Sequence, residues 1–155
     1  MLRLIPRVHP TRYLSTSNRT NITNWYSSDI LINKKSKFQA RNVELIDSSQ
    51  IDNILTQFLL QYKSISKNAS HPHIIAWRTG EYLNDGTVIN INQGYRDNGE
   101  KGAGIKLLED VLIKHNVINR LVIVTRWYGG NPIGSSRFRL INNAALQSLR
   151  SANKI

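Results

Sequence analysis

Four segments of the sequence carry residue types that could do chemistry, and the first holds two imidazoles. His71 and His73 are two apart in a β-prone stretch, and side chains with that spacing on a strand point to one side. A divalent metal held by both would need a third ligand, for which Asp97 and Glu100 are the available acids. Alternatively, one histidine bonds the backbone and the other faces solvent.

The two acids belong to the second segment, Gly94 to Glu100, which enters a predicted helix. Asp97 or Asn98 can accept hydrogen bonds from free N–H groups at the helix start, and Glu100 in the first turn favours the helix dipole. A functional alternative makes them a general acid/base or ligand pair. No nucleophile stands beside a base, so we predict no catalytic residue.

The third segment, Lys101 to Gly104, lacks the glycine spacing of a dinucleotide-binding site. We therefore expect no cofactor.

The fourth segment, Thr125 to Arg139, leaves an apolar strand, turns through glycines and enters a helix. Helix-start N–H groups beside guanidinium groups make an anion site. Trp127 and Tyr128 can stack on a nucleic-acid base, or they can fill the core while the glycines serve the turn. The residues that would form this part of a binding surface are Arg126, Tyr128, Gly129, Gly130 and Arg137.

Alternating strands and helices must position these segments. The apolar stripe from Ile51 to Tyr62 has helical spacing, with Ser48 or Ser49 as its cap. Two further helices are predicted from Glu100 to His115 and from Phe138 to Leu149. Predicted strands are Phe38–Leu45, His73–Arg78, Thr87–Ile91 and Leu121–Thr125, with a glycine-bearing loop at Gln93–Gly99. The pattern predicts an α+β fold in which helices cover a small mixed sheet, on one face or on both.

Composition limits the classes of protein. The 155 residues suit one domain and include no cysteine, which excludes disulfides, zinc–thiolate sites and a cysteine nucleophile. No apolar run approaches the ~18 residues of a membrane span, so we expect no membrane association. The formal charge of +11 divides into +5 for residues 1–35 and +6 for residues 36–155. A basic body favours an acidic partner such as RNA, a phosphate or an acidic protein face.

The N-terminal residues 1–27 have the composition of a targeting sequence. They hold four arginines, several Ser and Thr and no acid, which is typical of a mitochondrial transit peptide, and Arg12 to Ser15 resembles a matrix-protease site. Pro6 and Pro10 interrupt the helix that such a peptide should form. We therefore predict a disordered or cleaved segment at 1–27, a domain at 28–155, and a mitochondrial location, with a cytoplasmic one as the alternative.

Five short motifs in order resemble the IMPACT/YigZ family, on its eukaryotic IMPACT branch. They are K-S-K-F-Q-A at Lys35–Ala40, A-S-H at Ala69–His71, D-N-G-E at Asp97–Glu100, A-G at Ala103–Gly104, and V-T-R-W-Y-G-G at Val124–Gly130. Asn98 replaces an acid of the family's D-D-G-E, which weakens a metal or acid/base role there. The resemblance implies a fold like the second domain of a small-subunit ribosomal protein and domain IV of elongation factor G.

The resemblance also implies a function. Relatives with this fold bind RNA, and eukaryotic IMPACT proteins damp the amino-acid-starvation kinase pathway by competing for its ribosome-associated activator and also bind actin. Those proteins carry an RWD domain, for which residues 1–27 leave no room. We expect a non-enzymatic, translation-linked binder that contacts RNA, the ribosome or a ribosome-associated protein. The expected surface comprises His71, His73, Asp97, Glu100, Arg126, Tyr128, Gly129, Gly130 and Arg137; the alternative is a metal-dependent hydrolase using the first four.

Overall fold

The fold is known from a computed structural model that describes residues 22–155. The predicted mitochondrial transit peptide, with its protease site at Arg12 to Ser15, falls mainly on residues outside this described range. The strands are β1 (Tyr26–Ser27), β2 (Leu31–Asn33), β3 (Ser36–Glu44), β4 (His71–Tyr82), β5 (Val88–Arg96) and β6 (Arg120–Trp127). The helices are α1 (Ile51–Gln61), α2 (Lys63–Asn68), α3 (Ala103–Lys106, continued by a π-helical stretch, Leu107–Ile113) and α4 (Ser136–Ser151), and a 3₁₀ turn (Ser48–Gln50) precedes α1.

The sheet has the order β1-β3-β6-β4-β5, and β2 also pairs with β3. The predicted α+β class is confirmed, but the sheet is antiparallel in every described pair rather than mixed. The helix-joined strands β3 and β4 do run parallel, because each is antiparallel to β6, which lies between them. A helical connection suggests that the two strands it joins are parallel neighbours in the sheet. Here β6 lies between them, so β3 and β4 are parallel but not adjacent.

Helices cover both faces of the sheet. On one face, α3, its π-helical continuation and α4 pack on residues such as Phe38, Ala76 and Val124. On the other, α1 and α2 pack on sheet residues such as Val43 and Ile123, and together these residues form a second buried cluster, called here the α1-side cluster. Because both faces are covered, the central strand β6 is buried almost throughout, and its middle, Leu121 to Val124, is a continuous apolar run.

Helix α1 follows the predicted apolar stripe. Ile51, Leu55 and Phe58 are buried, and the capping side chain is Asp47, at the start of the 3₁₀ turn that leads into α1, rather than Ser48 or Ser49. The Asp47 side chain accepts from the Ser49 N–H, and the Gln50 side chain accepts from the Asp47 N–H, which makes a capping box.

The hairpin β4–β5 is longer than its sequence suggests. The predicted loop at Gln93–Gly99 is wrong in its first half, because β5 continues to Arg96. Gly94, which reads as a loop residue, lies under the indole of Trp77, and a Cβ there would meet Trp77 Cζ2 at 2.4 Å. This glycine is required by a side chain packed across the strand pair, not by a turn.

Candidate functional site

Three of the four segments meet at one concavity, called here the cleft, of about 450 Å³. It lies where β6 ends, the chain turns and α4 begins. The predicted residues that line it are His71, Glu100, Arg126, Tyr128 and Arg137. Pro132, Ile133 and Gly134 of the loop complete its wall.

Glu100 lies at the centre of the charges in the cleft and is only 5% exposed. One carboxylate oxygen, Oε2, accepts from Arg126 Nη1, and the other, Oε1, accepts from Arg137 Nε at 3.1 Å. Arg126 is equally buried, whereas a quarter of the Arg137 side chain is exposed. Both oxygens of the acid are therefore engaged, and two guanidinium groups against one carboxylate leave the site electropositive.

His71 borders the same acid. Its Nδ1 lies 3.0 Å from the Asn98 carbonyl oxygen, which can only accept, so Nδ1 carries the proton. Its Nε2 then points toward Glu100 Oε2, 4.0 Å away. One histidine thus bonds the backbone, as the simpler sequence interpretation proposes.

His73 and Asp97 do not line the cleft. The pairing of β4 with β6 shifts register between His71 and Ile74, so the regular alternation that would align the two imidazoles does not hold. The His73 backbone N–H donates to Asn98 Oδ1 at 2.9 Å. Asp97 accepts from the N–H groups of Gly102 and Gly104, at 3.1 and 2.8 Å, which is the structural role considered for it.

Two serines that the sequence analysis did not single out hold the glycine loop. Ser36 Oγ accepts from the Gly129 N–H at 3.0 Å, and Ser70 Oγ accepts from the Tyr128 N–H at 2.9 Å. Both serines belong to the short motifs that resemble the family, so those motifs could have identified them from the sequence. A Cβ on Gly129 would lie 2.2 Å from the Lys35 carbonyl carbon, so the loop sits directly against the β2–β3 turn.

The aromatics of the loop take different roles. Trp127 packs on the α1-side cluster, whereas Tyr128 is half exposed with its ring 5.4 Å from the Arg126 guanidinium carbon. The Phe38 ring lies 5.3 Å from the same guanidinium carbon. Tyr128 therefore offers an open aromatic surface beside a fixed cation.

The arrangement can hold an anion or an aromatic group but lacks the parts of a metal-dependent hydrolase. Glu100 is saturated by arginine and Asp97 by backbone N–H groups. Among residues 22–155, no three His, Asp or Glu side chains gather as a metal site would require. The alternative hydrolase therefore has no support in the geometry.

Comparison with known proteins gives a consistent result. The model of the Impact N-terminal domain matches residues 34–149. IMPACT family member YDL177C of Saccharomyces cerevisiae is 41% identical over 155 positions, covering 81% of this chain and 90% of its own length. Protein IMPACT of Homo sapiens is 36% identical over 123 positions, but the chain spans 36% of that protein. The chain likewise spans 46% of the Caenorhabditis elegans homologue.

Two solved structures resemble the fold. One, described as the two-domain translational regulator Yih1, matches with a TM-score of 0.54 and 30% identity, over 86% of this chain and 49% of its own. The other, described as a hypothetical protein, matches with a TM-score of 0.62 and 20% identity, over 83% and 62% of the two chains, which shows the fold alone. The matched family model and the close full-length relative establish that this chain belongs to the IMPACT family.

Proposed function

We propose that the domain is a non-enzymatic binding protein linked to translation, and that the cleft contacts phosphate groups of RNA, on the ribosome or free. The observation that carries this is the pairing of Glu100 with two arginines. Its carboxylate fixes both guanidinium groups and does not cancel their combined charge. Arg137 and Tyr128 remain accessible to a ligand, as a phosphate contact and a stacking surface would need.

The surroundings of the cleft support an anionic ligand. The exposed Lys34 and Lys35 form the turn against which Gly129 packs, and the Asn131 side chain donates to the Lys34 carbonyl. Two lysines are thus carried beside the glycine loop. A solved relative is described as a translational regulator, which favours a partner in the translation machinery.

Binding of single-stranded RNA across a salt series tests this function. We expect Arg137→Ala to weaken binding and to reduce the salt dependence by about one phosphate contact, with a slope change near 0.7. Arg150→Ala is the matched control, because it removes the same charge from the far end of α4. Absence of binding to RNA and ribosomes at low salt would contradict the proposal.

A second candidate is regulation through a ribosome-associated protein, favoured by the relatives named IMPACT and by Yih1. Its partners would be the activator of the starvation kinase, or actin. A pull-down with the full chain distinguishes it from RNA binding. Recovery of the activator after nuclease treatment, with equal yield from Arg137→Ala, would favour this candidate over the first.

A mitochondrial location is also proposed, from the arginine-rich, acid-free residues 1–27. Microscopy of a C-terminally tagged chain tests it, with Arg3, Arg7 and Arg12 changed to Ser as the control. Cytosolic signal from the unaltered chain would place the protein with the cytoplasmic translation machinery instead. None of the helices in residues 22–155 is long and apolar enough to cross a bilayer.

A further inference from the structure

A second concavity of about 450 Å³ lies between β2 and α4. Most of its lining residues are apolar, and Arg150 lies on its α4 side. Its principal lining residues are Ile30, Leu31, Ile32, Leu140, Leu146 and Arg150. We call it the β2–α4 groove.

The β2 side of the groove exposes apolar surface that the fold does not use. Leu31 packs against the core, because successive residues of a strand face opposite sides and Leu31 faces inward. Its neighbours Ile30 and Ile32 point outward and are 51% and 65% exposed. A contiguous exposed apolar patch beside a concavity is typical of a protein interaction site.

The α4 side presents a separate face of the helix. Ile141, Ala145 and Leu149 are buried against the sheet. Leu140, Asn143, Leu146, Gln147 and Arg150 lie at helical spacing on the groove side. Arg139 is four residues before Asn143 and therefore lies on the same side, exposed.

The charge of this face is of one sign. α4 contains no acidic residue, and the two arginines of the groove side, Arg139 and Arg150, are eleven residues apart. At 1.5 Å per residue, their backbone positions are about 16 Å apart, or three helical turns. Asp29 lies next to Ile30, and its N–H donates to the Gln147 side chain, which places one acid at the border of the groove.

Charge complementarity selects the occupant. A symmetric dimer formed through this groove would place these arginines against the same arginines of the second copy. Residues 1–28 of this chain hold four arginines and no acid, so they are no better matched. We propose that the β2–α4 groove binds an acidic amphipathic helix of a partner protein, whose apolar stripe covers Ile30 and Ile32 and whose carboxylates meet Arg139 and Arg150.

Photo-crosslinking from the groove tests this proposal in cells. A photoreactive phenylalanine replaces Ile32 in the full chain, and the crosslinked peptide is mapped by mass spectrometry. Leu60 is a matched control position, because it is 64% exposed but lies on α1. We expect an adduct specific to position 32 with a segment that has apolar residues at i, i+3 or i+4 and i+7 and flanking Asp or Glu. Adducts with this chain itself, with a basic segment, or equally from position 60 would overturn the proposal, as would the absence of any adduct.

A synthetic peptide of the mapped segment then serves as the probe in fluorescence anisotropy. We expect Ile32→Asp and Arg150→Glu each to raise its Kd by about tenfold or more, and Leu60→Asp to leave it unchanged. Lysine in place of the acids of the peptide should restore binding to Arg150→Glu. Equal affinity for all three variants would overturn the proposal. Neither groove variant touches the cleft, so RNA binding by Arg150→Glu shows separately whether the proposed function holds.

Discussion

At the scale of single residues, the cleft depends on one buried acid. Glu100 is held by Arg126 and Arg137, and the first of these guanidinium groups is itself only 5% exposed. Replacing Glu100 by Gln would leave a buried cation without its counter-charge. Such a loss costs about 3–5 kcal/mol, so we expect the free energy of unfolding in urea to fall by that amount.

An exposed ion pair provides the control for this change. Asp52 pairs with Arg96 at 2.8 Å, but the Asp52 side chain is 83% exposed. Asp52→Asn should therefore cost no more than about 1 kcal/mol. A loss from Glu100→Gln as small as that from Asp52→Asn would show that Glu100 is not the structural centre of the cleft.

The adjacent glycines Gly129 and Gly130 are required for different reasons, the first for lack of space and the second for its backbone conformation. A Cβ on Gly129 would collide with the Lys35 carbonyl, whereas one on Gly130 meets nothing within 4 Å. Gly130 has a φ of +89°, so Gly130→Ala carries a left-handed strain of about 1–2 kcal/mol. We expect Gly129→Ala to destabilise the protein clearly more in thermal unfolding, because loop and turn must move apart. Equal losses would mean that the loop relaxes freely.

The residues of the cleft were partly predictable. The types and spacing of Glu100, Arg126 and Arg137 indicate a charged helix entrance and an anion site. Their direct contact was not predictable, because it joins segments that are 26 and 37 positions apart in sequence. The regular alternation expected for His71 and His73 is interrupted for a local reason, since the pairing of β4 with β6 shifts register between His71 and Ile74, a stretch that contains Pro72.

At the scale of elements, periodicity predicted the helices better than the limits of the strands. The apolar stripe of α1 is buried as expected, because an amphipathic helix packs on a sheet with its apolar side. The end of β5 was missed because Gly94 accommodates Trp77 across the strand pair, a tertiary contact. The chain stays helical beyond Tyr62, but as the separate short helix α2, an interruption that the apolar stripe does not predict.

The capping box before α1 makes the stability of that helix depend on pH. Hydrogen bonds from Ser49 to the Asp47 carboxylate lower the pKa of Asp47 in the folded state. A folded-state pKa below the unfolded one contributes stability above the unfolded value, about pH 4, and this is lost as the pH falls through the folded value. We expect Asp47→Asn, which retains a cap without a titrating group, to show a shallower loss of stability between pH 4 and pH 2 in urea titrations. Identical acid slopes would contradict the assignment of the cap.

At the scale of the whole molecule, the sheet is shared by two helical layers. The sequence predicted the class and the covering helices, and the family resemblance agreed with them. The periodicity of the helices could not decide between one covered face and two, because each helix shows a single apolar stripe in either case. The apolar run of β6 does indicate burial on both faces.

Sharing the sheet predicts that the two layers unfold together. The three tryptophans, Trp25, Trp77 and Trp127, all pack on the α1-side cluster, whereas the longest helix, α4, lies on the opposite face. Tryptophan fluorescence therefore follows one layer, and helical circular dichroism is weighted toward the other. Because both layers are completed by the same strands, we expect the two signals to give coincident urea curves.

Removing a large side chain from one layer makes the test stringent. Phe58 is fully buried in the α1-side cluster, and Phe58→Ala should lower the free energy of unfolding by about 3–5 kcal/mol. Leu60→Ala, on the exposed side of the same helix, should change it by no more than about 0.5 kcal/mol. If the layers are coupled through the sheet, Phe58→Ala shifts the fluorescence and dichroism midpoints equally. A fluorescence transition that moves alone, leaving the α4 signal at its original midpoint, would show that the α1 layer unfolds as an independent unit.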